Sequence, residues 1–495
     1  MISLKWRIAL IIFVFVLACS GLSIFKNRQL NFMGGMAEEY FGMGINLYYY
    51  GKLSPTLTGA RVFRPPGYPV FIASILRIWG GMPEEAETFF KPGVFQHERQ
   101  AAYRAVWLAQ SLLLSLTAVI LFLLLSNYIR LSNAAVLATL FGCNPYLLIL
   151  AGLLHYDIFH IFLTVVSVYS LSSVLDSRSK EAHIKMVVSG AFWGFTTLIR
   201  PVTLILPLFA LPVFWIQFGR SWPLLLRSFI LFILGMSLVI IPNTYHNYTL
   251  TGRIIPVNAQ SGISVWGATV KKLSRDPNHY RWWELWYPEG MQIYRKVTGS
   301  GQYSYSRYVN NILELEDEFR SAAVKNLRRK PYVYVNNFLV DFLTFNLDIN
   351  SVYIKLFQAI QNPDVNIDKK WLKVGDPQDF YSSSQANAFK YYIYLLTVFG
   401  FLGICLALKQ KGKSILVAGL VYLCFCLAHA LTYMDLMYYY IKVPFLYIFS
   451  GYFINTVDRD MIRIPLVDRQ ISPAAILNGV MIVFGIWLTI AIILV

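Results

Sequence analysis

The sequence predicts an all-α polytopic membrane protein, and three observations carry that prediction. Hydrophobic residues make up 56% of the 495 positions. Charged residues account for only 14%, against roughly 25% in an ordinary soluble domain. Long apolar runs such as 8–25 and 473–495 are each close to the ~20 residues that a helix needs to cross a bilayer.

Apolar segments of this kind recur along the chain and predict about eleven membrane spans. Their expected positions are, in order, 8–25, 104–126, 133–152, 157–175, 184–199, 201–217, 223–243, 388–408, 414–431, 439–456 and 473–495. The first run is interpreted as an uncleaved span rather than a signal peptide, although Lys5 and Arg7 precede an apolar core.

The formal net charge of +17 is concentrated in short loops beside the predicted spans and in polar segments. When the spans alternate in direction, every short basic loop falls on one side, which the positive-inside rule makes cytoplasmic. This distribution predicts a multi-pass protein of the inner (plasma) membrane. Membrane lipids are therefore expected partners, whereas nucleic acid is not.

The opposite side, periplasmic or extracellular, then carries two large polar pieces, 26–103 and 244–387. Amphipathic segments occur in both, at 36–51, 67–80 and 331–345. Asn336, Asn337 and Asp341 in the middle of the last segment predict a helix that lies at the interface rather than a further span. The predicted divisions are an N-terminal membrane module with its first external loop at 1–243, an external region at 244–387 and C-terminal membrane helices at 388–495.

Carboxylates on the external side are the first candidates for chemistry, because the sequence contains no P-loop, nucleophile elbow, HExxH or EF-hand motif. Ionisable groups near membrane depth are costly, so each is a functional hypothesis. Glu38 and Glu39 lie early in an amphipathic segment. Either can act as a general base, or both can simply form a solvated first turn of a helix.

Asp157 lies at the predicted external turn between the third and fourth spans, with His155 and His160 beside it. Three interpretations remain open for this carboxylate. It can cap the fourth span, it can take a catalytic or orienting role, or it can bind a metal if a third ligand joins it and His155.

Basic residues on the same side form the second group of candidates. Arginine and lysine bind phosphate through charge-assisted hydrogen bonds, and arginine can do so with two bonds at once. A single such residue is typical of snorkelling at the interface, but several on one side predict a collective anion site. These residues are Arg61, Arg64, Arg200, Arg253 and Lys442.

Four stretches of the chain also carry a resemblance to a known class of enzymes. They are EEYFGMGINLYYYGKLSP (38–55) with RPPGYPVFIA (64–73), GAFWGFTTLIRPVTLILPL (190–208), IPNTYHNYTLTGRIIPVNAQSG (241–262) and YIKVPFLYIFSGYFI (440–454). Their content and order resemble the GT-C class of integral-membrane glycosyltransferases. The similarity is to family 39-like members related to protein O-mannosyltransferases and aminoarabinose transferases, and it extends over nearly the whole chain.

This resemblance implies a GT-C-like bundle of about 11 transmembrane helices, with amphipathic external helices and a small external region. It implies transfer of a sugar from a polyprenyl-phosphate donor to an acceptor hydroxyl on the external face, with inversion. The acceptor can be a glycan, a lipid or a protein. No cofactor is certain, although a divalent metal, Mg or Mn, serves some members of the class.

The resemblance also suggests roles for individual residues. Glu39 is the favoured base, with Glu38 and Asp157 as the other catalytic candidates, and the five basic residues above would bind the donor phosphate. Substrate contacts would come from Tyr40, His155, His246, Asn247 and Tyr440.

One departure from the family pattern keeps other functions open. Met36 stands where the family usually carries an aspartate, four residues before the tyrosine of the first loop. The alternatives are a catalytically inactive GT-C relative, a lipid-linked glycan polymerase or ligase, and a flippase or transporter.

Overall fold

A computed structural model of the protein describes most of the chain. The described residues are 3–26, 36–54, 62–79, 98–176, 182–218, 221–270, 288–347, 384–410, 413–432, 440–457, 462–464 and 469–471. Arg61 and the predicted last span, 473–495, lie outside these ranges, and the side chains of Met36 and Glu38 are also not described.

The described chain is helical apart from one short hairpin. Helices in the first half are α1 (Leu4–Lys26), α2 (Met36–Tyr50), α3 (Gly67–Trp79), α4 (Glu98–Leu125), α5 (Leu131–Gly142), α6 (Pro145–Ala151), α7 (Asp157–Asp176), α8 (Ala182–Ile199), α9 (Leu206–Phe218) and α10 (Trp222–Thr251). A 3-10 helix, Pro201–Ile205, joins α8 to α9.

The second half contains eight described helices and ends with the hairpin. The helices are α11 (Ser261–Thr269), α12 (Pro288–Thr298), α13 (Tyr305–Asn310), α14 (Ile312–Arg329), α15 (Pro331–Leu347), α16 (Ser384–Gln410), α17 (Lys413–Leu431) and α18 (Val443–Val457). Strands β1 (Ile462–Ile464) and β2 (Arg469–Ile471) pair antiparallel, with Ile462 opposite Ile471.

Four of the described helices, α1, α4, α7 and α10, are long and apolar enough to cross a membrane. The pair α5 and α6 passes the same test when counted as one broken span. Shorter apolar helices occur at Gly67–Trp79, Pro201–Trp215, Tyr392–Leu406 and Ile415–Leu431. The prediction of a helical, multi-spanning membrane protein is confirmed, whereas the predicted count of about eleven spans is not.

The segment predicted as one span at 133–152 is two helices bent by 50°. The side chain of Asn144 accepts a hydrogen bond from the backbone N–H of Tyr146 at 3.0 Å, and Pro145 occupies the first position of α6. An asparagine cap followed by proline is a strong start signal for a new helix. The bend therefore has a local cause in the sequence.

Helix α10 continues eight residues beyond its predicted end at 243 and stops at Gly252, whose φ of +68° suits glycine. The side chain of Asn243 donates to the carbonyl oxygens of Pro256 and Val257. Asn247 is buried and donates to the carbonyl of Ile255 at 2.8 Å and to that of Val257 at 3.1 Å. These polar residues hold the returning chain against the helix instead of forming a loop.

Glycines set the packing of α8 against α10. A Cβ atom at Gly190 would collide with the backbone carbonyl of Phe232, and one at Gly235 would collide with the carbonyl of Val187. Membrane helices commonly use small residues to bring their backbones this close, because dispersion forces and weak hydrogen bonds then act along the whole contact.

A second hydrophobic core lies apart from the membrane helices. It contains Trp266 of α11, Tyr294 of α12 and Phe319 of α14, all fully buried. Val62 and Phe63, from the loop predicted to be the first external one, belong to the same core. We call the residues 255–270 and 288–329 the external module, after the side of the membrane that the sequence predicts for them. The first loop therefore supplies part of the core of a module that is encoded much later in the chain.

Glu316 of α14 is a buried carboxylate inside the external module, and it contacts the start of α11. Its Oε2 accepts hydrogen bonds from the backbone N–H of Gly262 at 2.5 Å and from the hydroxyl of Ser261 at 3.3 Å. Burial raises the pKa of Glu316 above its ordinary value, because the charged form loses its hydration, while these hydrogen bonds act in the opposite direction.

We expect Glu316 to make the stability of the external module depend on pH. A carboxyl whose pKa is raised by folding contributes stability below its unfolded value, here 4.5, and that stability is lost as pH rises through the folded pKa. The unfolding temperature of the wild type should therefore fall as the pH is raised from 4. The variant Glu316→Gln should lack this fall. Parallel curves for the two proteins would contradict this expectation.

Helix α15 covers the predicted interfacial segment 331–345. The side chain of Asn337 is buried and donates to the carbonyl oxygens of Ala268 and Val270, both at 2.9 Å, which fixes α15 to the end of α11. Leu339 and Leu343 are exposed. The interfacial orientation of this helix stays a prediction.

Candidate functional site

A largely buried ion pair joins α2 to the segment before α3. Glu39 lies in the first turn of α2, and Arg64 immediately precedes the two prolines at 65–66. The Nε and Nη2 atoms of Arg64 lie 2.7 Å and 2.5 Å from Oε2 of Glu39. The two side chains are 8% and 11% exposed. Both contacts fall on Oε2, so Oε1 is the oxygen of Glu39 that remains outside the ion pair.

Arg64 has further partners that hold its guanidinium in place. Its Nη1 donates to Oε1 of Gln260 at 3.2 Å, and the group lies over the rings of Phe63 at 4.6 Å and Tyr40 at 5.8 Å. The following proline restricts the backbone of Arg64 to extended conformations. The residue predicted to bind phosphate is therefore engaged with the candidate base in this structure.

Tyr40 connects Glu39 to the turn that precedes α7. Its ring contacts that of Tyr156 with centroids 5.1 Å apart, and it lies edge-on to His155 at 6.5 Å. Tyr68 of α3 completes the group at 6.0 Å. Tyr40, the neighbour of Glu39 in the chain, therefore packs against the two residues that precede Asp157.

Asp157 begins α7 and lies against His155. Nδ1 of His155 is 2.9 Å from Oδ2 of Asp157, and both side chains are buried. Within the described residues, Oδ1 of Asp157 and Nε2 of His155 have no hydrogen-bond partner. Buried polar atoms are almost always satisfied in folded proteins, so these atoms are suited to meet water or the polar groups of a ligand.

Arg200 is held at the end of α8 by the extended backbone that precedes Pro201, with φ of −140° and ψ of 116°. Its guanidinium lies over the rings of Tyr156 at 4.9 Å and Tyr440 at 5.7 Å. The hydroxyl of Tyr440 is 2.9 Å from Nδ1 of His160. These four side chains, from three separate parts of the chain, form what we call the Arg200 cluster.

Lys442 lies two residues beyond Tyr440 and is almost completely buried. Its Nζ donates to the backbone carbonyl of Phe345 at 2.8 Å and lies 5.8 Å from the centre of the Phe345 ring. This contact joins the C-terminal end of α15 to the segment that carries Tyr440.

Three other predicted site residues lie elsewhere in the described structure. Arg253 pairs with Asp317 at 2.7 Å, and the two side chains are 45% and 50% exposed. His246 is exposed on α10. Asn247 is committed to the carbonyl groups of the chain that follows α10.

The sequence did not reveal Gln260 and Tyr303, which the external module brings to the Glu39–Arg64 pair. Burial, together with the nearby charge of Glu39, raises the pKa of Tyr303. Gln260 is separated from Arg64 by 196 positions in the sequence. The stretch 241–262 pointed to the neighbourhood of Gln260 only through its resemblance.

A divalent metal was a second possibility for these carboxylates. Among the described residues, no group of three or more His, Cys, Asp or Glu side chains is arranged to hold one. Asp157 and His155 supply two ligands, while Glu39 is engaged with Arg64. These side chains alone therefore do not fit a metal.

Comparisons with known proteins identify the fold. No protein-family model matches the sequence, and no curated protein matches it. The archaeal oligosaccharyltransferase AglB from Archaeoglobus fulgidus, solved with an inhibitory peptide and a dolichol-phosphate, aligns at 11% identity with a TM-score of 0.51. The alignment covers 98% of this chain and 55% of AglB, so the chain spans about half the length of that protein.

A second solved structure is ArnT from Cupriavidus metallidurans bound to undecaprenyl phosphate. It aligns at 13% identity over 90% of this chain and 77% of its own, with a TM-score of 0.38. AglB belongs to the GT-C class of membrane glycosyltransferases. This chain has a GT-C-like fold.

Proposed function

We propose that this protein is a glycosyltransferase that moves a sugar from a polyprenyl-phosphate donor to an acceptor hydroxyl on the external face of the membrane. The observation that carries the proposal is the arrangement around Tyr40. Tyr40 follows Glu39, whose carboxylate is paired with Arg64, and the ring of Tyr40 packs against Tyr156, over which the guanidinium of Arg200 lies. The candidate base and the candidate phosphate-binding cation are thus connected through the contact between two tyrosine rings.

This arrangement suits a single displacement with inversion. Oε1 of Glu39 takes the proton of the acceptor hydroxyl as its oxygen attacks the anomeric carbon, and the bond from that carbon to the phosphate oxygen breaks. The Arg200 guanidinium stabilises the charge that develops on the departing phosphate, since a fixed cation in a dry site stabilises charge strongly. Asp157 and His155 would accept and donate hydrogen bonds to the sugar through their unpartnered atoms.

Other features support the same function. The neighbouring fold belongs to an enzyme solved with dolichol-phosphate, a lipid-linked phosphate of the kind proposed here as the carrier. The apolar helices carry exposed hydrophobic side chains, which suit a protein that lies in a membrane. A lipid-linked donor would dissolve in that same membrane. No nucleotide-binding motif is present in the sequence, and a polyprenyl-phosphate donor needs none.

Mass spectrometry of cell-envelope glycans, with and without the protein, tests the function. We expect one glycan, glycolipid or glycoprotein to lose a sugar when the protein is absent and to regain it when the gene is restored. The purified protein in lipid nanodiscs should release polyprenyl phosphate from a synthetic polyprenyl-phosphate sugar. Unchanged glycans together with no release from a panel of such donors would exclude the proposal.

Arg200→Gln should weaken the binding of undecaprenyl phosphate about tenfold or more, because a charge-assisted hydrogen bond is lost. Arg253→Gln is the matched control, since Arg253 is exposed and paired with Asp317. Native mass spectrometry of nanodiscs titrated with undecaprenyl phosphate measures both variants. Equal loss of binding in the two variants would argue against a specific role for Arg200.

A further inference from the structure

The segment 258–260 of the external module lies directly against the segment 62–64 of the first external loop. The backbone N–H of Ala259 donates to the carbonyl of Val62 at 2.8 Å. The side chain of Asn258 donates to the carbonyl of Phe63 at 3.2 Å. Two distant parts of the chain are therefore joined at the residue that precedes Arg64.

Gln260 lies at the centre of this contact. Its Oε1 accepts from Nη1 of Arg64 and from Nδ2 of Asn258, both at 3.2 Å. Two residues further on, the N–H of Gly262 is fixed by the buried Glu316 carboxylate. Gln260 is thus held on one side by the hydrogen bond from Asn258 and on the other by the contact of Gly262 with Glu316.

The guanidinium of Arg64 is planar, and its donors have a fixed geometry. Nε and Nη2 both contact Oε2 of Glu39, while Nη1 contacts Gln260. The contact of Nη1 with Gln260 fixes the orientation of the guanidinium plane. It therefore also fixes the direction from which Nε and Nη2 approach the Glu39 carboxylate. Without that contact, the long arginine side chain regains rotamers that folding had removed.

We propose that Gln260 is a positioning residue, which holds Arg64 against Glu39 and so lets the external module set the orientation of the candidate base. The inference rests on the proposed function for the catalytic meaning of Glu39. The hydrogen bonds that carry it do not depend on that function.

Carbodiimide labelling tests the proposal without any sugar donor. N,N′-Dicyclohexylcarbodiimide is an apolar reagent that adds to protonated carboxyl groups and spares carboxylates held in ion pairs. The full chain in lipid nanodiscs is labelled over time, and peptide mapping by mass spectrometry gives a rate for each carboxyl. Gln260→Met removes the acceptor oxygen at nearly constant volume, and Gln302→Met is the control on an exposed glutamine of the same module.

We expect Gln260→Met to raise the labelling rate of Glu39 about tenfold, the effect of losing a hydrogen bond to a charged group. The rate at Glu316, the carboxyl inside the module, should stay at the wild-type value, and Gln302→Met should change neither rate. Once transfer is measurable, Gln260→Met should lower kcat and leave the KM for the donor unchanged.

Two results would overturn the proposal. An unchanged rate at Glu39 would show that Arg64 keeps its place without Gln260. A parallel rise at Glu39 and Glu316 would show that Gln260 merely supports the fold of the module. Because labelling requires no turnover, these results remain readable even if the proposed sugar transfer is not observed.

Discussion

Glu39→Gln should lower the rate of sugar transfer about a thousandfold, because a positioned general base typically contributes 10²–10⁴-fold. Glutamine keeps an oxygen that can accept from Arg64, so the buried contact is largely retained and the protein should still fold and insert. The rate is measured as release of polyprenyl phosphate by the purified protein in nanodiscs. Thermal unfolding of the same sample shows whether the variant is intact.

Glu38→Gln and the double variant complete this experiment, since Glu38 is the neighbouring candidate in the sequence. We expect the Glu38 variant to retain activity and the double variant to match Glu39→Gln. Full activity in both single variants and in the double variant would remove both residues from the role of base. Asp157 would then be the remaining predicted carboxylate.

Gly235→Ala should be the most destabilising of the small substitutions in the membrane helices. The added Cβ would meet the carbonyl of Val187, so α8 and α10 must separate along their contact. Overpacking of this kind costs about 1–3 kcal/mol, which should appear as a lower unfolding temperature in detergent.

Gly419→Ala is the matched control for that substitution, because Gly419 also lies in an apolar helix, α17. A Cβ atom there would meet nothing within 4 Å. Replacing glycine with alanine in an open helical position is neutral or stabilising, since alanine has the higher helix propensity. Equal unfolding temperatures for the two variants would show that the close contact at Gly235 is not needed.

Periodicity and hydrophobicity predicted most of the helices, because a span is set by local composition. The predicted first span at 8–25 lies within α1, and the span at 157–175 corresponds to α7. The end of a helix was predicted less well where polar side chains continue the helix beyond its apolar part. The polar stretch after Pro242 looked like a loop, yet Asn243 and Asn247 extend the helix by bonding the chain that returns over it.

The candidate site shows a sharper division. Glu39, Asp157 and Arg200 were identified from their residue types and their predicted side of the membrane, and Tyr440 only through the family resemblance. In the structure Glu39 pairs with Arg64, while the guanidinium of Arg200 lies over the ring of Tyr440. The contact of Arg64 with Gln260 was not predictable, because it depends on tertiary packing between the first loop and the external module. Gln260 has no charge or motif of its own that marks it as a partner.

The presence of Val62 and Phe63 in the core of the external module has a consequence for biosynthesis. Translation proceeds from the N-terminus at about 5–20 residues per second, so the 196 positions between Arg64 and Gln260 take about 10–40 s to make. Throughout that interval the module core against which Val62 and Phe63 pack has not yet been made. The nascent protein therefore cannot complete the surroundings of Glu39 until the ribosome has passed the middle of the message, and a product truncated before the module would lack the contact between Gln260 and Arg64.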